Sequence, residues 1–240
     1  MKRNYISHSA LKAFAKSPNH YLQYVAGEAP RTDAMVAGSA LHCFVLEPHE
    51  FDARYIVAPK IDRRTKEGKQ EFEAFSLQAT GRDVLTQSDF DNIQRMRQAI
   101  FDNPTAAGLI ESANAYEQGI AKELHGIEFR GIADGISDNW IFDLKTTQDA
   151  SPEGFQRQAH NLGYHEQAAL YTQAFNVPRF YWICVESAAP HNVAVYIQSE
   201  RAHRMATERV ARLIERFKEW DGTPGGYFKD VRELDLPGWA

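Results

Sequence analysis

Gly131-Ile132-Ala133-Asp134-Gly135 and Ile141-Phe142-Asp143-Leu144-Lys145-Thr146-Thr147, separated by a turn at Ser137-Asp138-Asn139, form the stretch on which the reading of this chain depends. Apolar, β-branched and aromatic residues on either side of a turn-forming triplet predict two paired strands, over 127–136 and 140–147. Side chains alternate along a strand, so Asp143 and Lys145 share one face while Phe142 and Leu144 point into a core. Asp134 lies on the preceding strand, where antiparallel pairing can bring its carboxylate beside that of Asp143. Two carboxylates that close repel unless a positive charge stands between them, and their oxygens suit a hard divalent cation such as Mg²⁺ or Mn²⁺. Lys145 would then favour the hydroxide form of a nearby water and stabilise negative charge developing on a phosphate. Taken alone, Asp-x-Lys is a pattern that any surface strand can produce.

Working outward, Tyr116 to Leu124 predicts a further strand and His125-Gly126 a tight turn, giving a meander of three antiparallel strands. A long helix is expected from Ser151 or Pro152 to Phe175-Asn176, then strands over 179–185 and 192–198, then a last helix over 200–220. Upstream, Ser9 reads as the N-cap of a short helix that stops before Ser17-Pro18, and Pro18 suits the first turn of a second one. Met35 to Leu46, small and apolar around Gly38-Ser39-Ala40, predicts a tightly packed helix displaying His42. Residues 55–69 read as extended and then as a charged loop, the best candidate for a mobile element near substrate. A helix over 87–100 closes at Asp102-Asn103-Pro104. The order is helices followed by βββαββα. A single domain is expected over 1–240, with a mainly helical lobe (1–110) carrying His42, a catalytic core (111–220) and an irregular tail (221–240).

The 240 residues are 43% hydrophobic and 25% charged, the composition of an ordinary globular protein, with no apolar run long enough to cross a bilayer. The N-terminus lacks the apolar region of a secretory signal, so a cytoplasmic protein without membrane contact is expected. Cys43 and Cys184 are the only cysteines, too few for a disulfide framework or a paired-cysteine zinc site. A formal charge of −5 disfavours coating nucleic acid by charge alone but leaves room for a local basic track. Two clusters offer one: Arg63, Arg64, Lys66 and Lys69 with Lys60, and the arginines between Arg201 and Arg216. Each fits either a solvated face or contact with DNA.

With these residues in hand, the chain resembles the PD-(D/E)xK nucleases, in particular the branch containing RecB-type nuclease domains and the exonuclease VIII (RecE-type) phage enzymes. Gln167 and Tyr171, one helical turn apart in Gly163-Tyr164-His165-Glu166-Gln167-Ala168-Ala169-Leu170-Tyr171, resemble that branch's Gln-x-x-x-Tyr motif. Gly38-Ser39-Ala40-Leu41-His42 resembles the segment carrying its metal-binding histidine, and Leu236-Pro237-Gly238-Trp239 resembles its closing residues. The resemblance implies an α/β, restriction-endonuclease-like core with a central mixed β-sheet flanked by helices. It also implies a metal site of His42, Asp134, Asp143 and the Leu144 backbone carbonyl, with Glu117 as a second-metal or water-positioning group, or an exposed strand glutamate. Lys145 would activate the attacking water, and Gln167 and Tyr171 would hold the scissile strand or support Lys145. The implied activity is Mg²⁺- or Mn²⁺-dependent 5′ to 3′ resection of double-stranded DNA from free ends, by a homo-oligomeric ring feeding a single-strand annealing protein. The alternatives are a nuclease module of a larger repair or helicase complex and an inactive DNA-binding scaffold. Two cysteines cannot supply the iron–sulfur cluster of some relatives.

Overall fold

In the computed structural model, residues 1–27 and 32–226 are described, together with Val231 and Glu233. The closing residues Leu236 to Trp239 lie outside the described residues. The first half runs β1 (Tyr5–Ile6), α1 (His8–Lys16), α2 (Pro18–Ala26), α3 (Asp33–Leu46), α4 (Phe51–Arg54), β2 (Tyr55–Val57), α5 (Lys66–Gln78), β3 (Asp83–Leu85), α6 (Gln87–Asp102) and α7 (Pro104–Glu111). The second runs β4 (Ala115–Leu124), β5 (Ile127–Ser137), β6 (Trp140–Thr147), α8 (Pro152–Leu162), α9 (Tyr164–Phe175), β7 (Arg179–Glu186), β8 (Val193–Ile197) and α10 (Glu200–Glu219).

A mixed sheet forms in the order β1-β5-β6-β7-β8, with β4 along the other edge of β5. β6 and β7 are parallel and joined through α8 and α9, while β4, β5 and β6 make the antiparallel meander. Period-two burial gives the sheet a core on each face. Ile141, Phe180, Trp182 and Cys184 pack with helices α1, α2, α9 and α10, whereas Phe142, Leu144, Ile183 and Val185 pack with α3, α6 and α7. The helices expected as one N-terminal lobe therefore divide between the two faces. α1 and α2 join the first core and α3, α6 and α7 the second. This division brings His42, on α3, to the meander.

Local details depart from the sequence reading in three places. The N-cap of α1 is Ser7 rather than Ser9, its hydroxyl accepting from the Ala10 amide at 3.3 Å. The helix expected over 151–176 is two helices, because Gly163 adopts a left-handed conformation (φ 70°) that ends α8 before α9 begins. Within 55–69, Lys66 and Lys69 are helical, on α5, whose cap Thr65 accepts from the Gly68 amide at 2.9 Å. α5 connects the parallel pair β2 and β3, which periodicity over such short strands did not reveal.

The β5–β6 pairing needs a residue without a side chain at Gly135, where an added Cβ would stand 2.3 Å from the Phe142 ring. Gly135→Ala should therefore destabilise the protein by about 1–3 kcal/mol, the usual cost of overpacking a core. Gly108→Ala, inside α7 with nothing within 4 Å of the new methyl, should be neutral or stabilising by up to about 1 kcal/mol. Urea denaturation of both variants checks the contrast, and equal midpoints would refute this account of the strand pairing.

Candidate active site

The site lies in a fork. β5 pairs with β4 along nearly its whole length, with β1 at Glu128 and Phe129, and with β6 from Gly135 to Ser137. Between these two neighbours one edge of β5, from Arg130 to Asp134, has no strand partner, so its polar groups must be satisfied otherwise. Two side chains take over ladder positions. The carboxylate of Asp134 accepts the Leu144 amide of β6 at 2.7 Å, and the Tyr171 hydroxyl accepts the Ile132 amide at 3.3 Å. Gly131 permits this second contact, since a Cβ there would lie 3.0 Å from the Tyr171 ring and hydroxyl.

Three strands and one helix converge on Asp134. Extending the β4–β5 register puts Glu117 opposite it, and extending the β5–β6 register puts Asp143 opposite it on the other side. Glu117 has φ 47°, a left-handed conformation uncommon for a residue with a side chain and a form of strain found where function demands a particular orientation. From α3, the His42 Nδ1 lies 3.3 Å from the Asp134 Oδ2. Gly38 on this helix faces β6, with the Thr146 hydroxyl 3.9 Å from where a Cβ would be, an ordinary packing distance. One ligand atom each from His42, Glu117 and Asp134 falls within 4.8 Å of the others, at the wall of a cavity of about 580 Å³.

Asp143 stands beside this group, not within it. Its Oδ2 lies 2.6 Å from the Lys145 Nζ and its Oδ1 accepts from the Gln167 Nε2 at 2.6 Å. Lys145 also lies over the Tyr164 ring, 4.8 Å from its centroid. The two expected motif residues of α9 thus touch the fork differently. Gln167 orients Asp143 and Tyr171 holds the backbone of β5, and neither bonds Lys145. The backbone amide of Leu144 donates to the Asp134 carboxylate.

The electrostatics follow from burial of like charges. Burial and the neighbouring Asp143 push the Asp134 carboxyl well above the usual range, and burial with Asp134 pushes Glu117 to about 7. Arg54, in the same cavity, is tied to Glu47 at 2.7 Å. Burial holds His42 below its ordinary value, leaving a neutral imidazole able to act as a ligand. Burial works against the Lys145 ammonium, but Asp143 and Asp134 outweigh it and keep the lysine charged. A carboxylate pair and a neutral imidazole make an oxygen- and nitrogen-donor set suited to a divalent cation. A cation placed between these acids would relieve their mutual repulsion.

None of the basic residues of the first cluster lines the cavity of this centre. The Arg63 guanidinium covers the Phe72 ring at 3.8 Å and Arg64 pairs with Asp62 at 2.9 Å. Lys66 and Lys69 lie on the exposed face of α5. Sequence reading passed over His8, whose Nε2 lies 2.8 Å from the Gly163 carbonyl beside the fork. A histidine next to a helix cap carries no signal until α8 and α9 are known to separate there.

A mixed sheet flanked by helices on both faces, with Asp134 on one strand and Asp143-Leu144-Lys145 on the next, defines a PD-(D/E)xK nuclease-like fold. Residues 7–223 match the family model described as a PDDEXK-like domain of unknown function (DUF3799), and the chain belongs to that family. No curated protein matches. Among solved structures, a protein from Eubacterium rectale assigned as an exonuclease aligns with a TM-score of 0.66 at 15% identity, over 90% of this chain and 80% of that one. At that identity the likeness is one of fold. A phage-related exonuclease from Haemophilus somnus (TM-score 0.39, 14% identity, 89% of this chain and 92% of that one) is too distant in structure to support an argument. The same holds for an alkaline exonuclease from Laribacter hongkongensis (TM-score 0.30, 8% identity, 90% and 89%). Among the described residues no helix is long and apolar enough to cross a membrane.

The raised Glu117 carboxyl sets a direction for stability. Its value is about 7 in the folded chain against an ordinary 4.5, so the stability it contributes is complete below about 4.5 and is lost as pH rises through about 7. The metal-free protein should melt at a higher temperature at pH 5.5 than at pH 8, and Glu117→Gln should flatten that difference. A divalent cation bound there would compete with the proton for the same carboxylates, so Mg²⁺ should raise the melting temperature more at pH 8 than at pH 5.5. Thermal melts at both pH values, with and without Mg²⁺, check this, and equal Mg²⁺ shifts would contradict it.

Proposed function

We propose that this protein is a divalent-metal-dependent nuclease that hydrolyses phosphodiester bonds of DNA. The observation that carries the reading is the juxtaposition of the His42, Glu117 and Asp134 ligand atoms with the Lys145–Asp143 pair on the adjoining strand. His42, Glu117 and Asp134 would hold the cation, with Asp143 and the Leu144 carbonyl as candidate further donors. A Mg²⁺ or Mn²⁺ ion bound there supplies Lewis acidity and lowers the pKa of a coordinated water. Lys145, kept charged by its carboxylates, orients the attacking water and donates to a phosphoryl oxygen as negative charge develops. Gln167 fixes Asp143, and through it the resting position of Lys145. Tyr171 fixes the open edge of β5 at Ile132, two residues from Asp134.

The fold shared with the protein assigned as an exonuclease supports cutting from ends, and the family resemblance supports 5′ to 3′ resection of duplex DNA by a ring-shaped oligomer working with a single-strand annealing protein. Arg63, Arg64, Lys66 and Lys69, away from the centre, contact DNA outside the cleavage point in this reading.

Digestion of end-labelled linear and closed circular duplexes with Mg²⁺ tests the proposal. Wild type should release nucleotides from linear DNA and spare the circle, and EDTA should stop it. Asp134→Asn keeps an acceptor for the Leu144 amide and should fold, yet lose activity by about 10²–10³-fold or more. Lys145→Met should lose at least as much, and destabilise the chain by about 3–5 kcal/mol because Asp143 is left as an unpaired buried charge. Wild-type rates in folded Asp134→Asn would remove the mechanism, and efficient cutting of the circle would remove the exonuclease assignment.

A further inference from the structure

A second cavity, of about 160 Å³, opens between α1, the α8–α9 turn and α10. Its floor is apolar, from Leu11, Leu170 and Leu213, and its rim is cationic. His8, Lys12 and Lys16 succeed one another at one-turn intervals along α1, so they form a ridge leading away from the fork. Arg209 stands across from them on α10. The one carboxylate of the lining, Glu166, is taken by Arg209 at 3.0 Å. Among the described residues Lys12 and Lys16 have no acidic partner, so the rim carries uncompensated positive charge. Burial, and then the charges of Lys145 and Lys16, pull the half-buried Lys12 below its ordinary value, the sign of a cation waiting for an anion. His8, which burial and then Lys12 and Lys145 lower to about 4 and so leave neutral, lines both this cavity and the trough of the fork, its Nε2 2.8 Å from the Gly163 carbonyl.

We propose that this cavity binds one nucleotide unit of the substrate strand next to the scissile phosphate, its phosphate group on Lys12 and Lys16 and its sugar or base on the apolar floor. The inference rests on the nuclease reading and adds to it a subsite that His8 connects to the fork. A cavity of 160 Å³ holds about five water volumes of ~30 Å³, enough for a phosphate and part of its sugar. An acidic protein chain is a poorer match, because Lys12 and Lys16 stand one turn apart on one face of α1, as successive phosphates of one strand would require. The phosphate can come from within the strand or from its end, and the two sources are separable.

The test is binding of a labelled duplex oligonucleotide to the full chain in EDTA, over a series of salt concentrations. Wild type is compared with the double variant Lys12→Gln/Lys16→Gln, with Lys12→Arg, and with Arg201→Gln/Arg212→Gln on the outer part of α10 as a control. The slope of log affinity against log salt should become shallower by about one for each phosphate that the variant no longer neutralises. The lysine double variant should show that flattening, Lys12→Arg should keep the wild-type slope, and the α10 control should match wild type. Melting curves establish that each variant is folded. A flattening seen equally on a closed circle places the phosphate inside the strand, whereas one seen only with phosphorylated ends places it at the terminus. An unchanged slope in the folded double variant of a protein that cuts DNA overturns this inference alone. A wild type that neither binds nor cuts DNA overturns the nuclease reading and this subsite with it.

Discussion

The hydrogen bond from the Leu144 amide to the Asp134 carboxylate, 2.7 Å long, is the contact on which the arrangement of the site depends. β5 and β6 separate beyond Gly135 and Phe142, and a sheet that opens inside a protein must find new partners for the amides it releases. A side-chain carboxylate does so here, which fixes Asp134 against β6 while leaving the rest of the fork open. The same device recurs on the other arm, where the Tyr171 hydroxyl accepts from Ile132. Ile132, more than half exposed, remains at the mouth of the fork, lining the cavity on the His42 side and the trough toward α1.

This geometry concentrates charge. Three acids from three adjacent strands meet with only one ammonium, Lys145, among them. In the free chain that ammonium is drawn to Asp143, and Asp134 and Glu117 bear the cost as raised proton affinities. Burying a charge without a counter-charge is expensive, so the site is stable in two ways: with protons on its acids, or with a cation between them. The division of labour between the strands follows. β4 and β5 supply the proposed ligand group with His42, and β6 supplies Lys145 together with its carboxylate partner Asp143.

Much of this was legible in the sequence because it rests on local patterns. The meander from Ala115 to Thr147 was readable from alternation and from the turns at His125-Gly126 and Ser137-Asp138-Asn139, and the pairing of Asp134 with the Asp143 strand from the hairpin alone. His42 came by family resemblance, not by spacing, since nothing local distinguishes a histidine on a packed helix from a ligand. The partition of the ligands could not be read. That Asp143 turns to Lys145 and Gln167, while Glu117 turns toward Asp134, depends on where the strands part and on a left-handed residue in β4, neither of which alternation encodes. Gly163 sits inside a helical pattern that one glycine does not interrupt in sequence, yet its left-handed backbone splits the helix, and its carbonyl lies 2.8 Å from the His8 Nε2. β1, two residues long, pairs in parallel with a strand more than a hundred residues away, too short and too remote to leave a periodic trace.

The central claim is that His42, Glu117 and Asp134 together hold a divalent cation, and calorimetric titration of Mn²⁺ into the full chain at two buffer ionisation enthalpies tests it most directly. A saturable site that releases protons on binding, and that disappears in a folded His42→Ala variant, is the expected result. No saturable binding, or binding that survives that substitution with unaltered affinity and proton release, would contradict it.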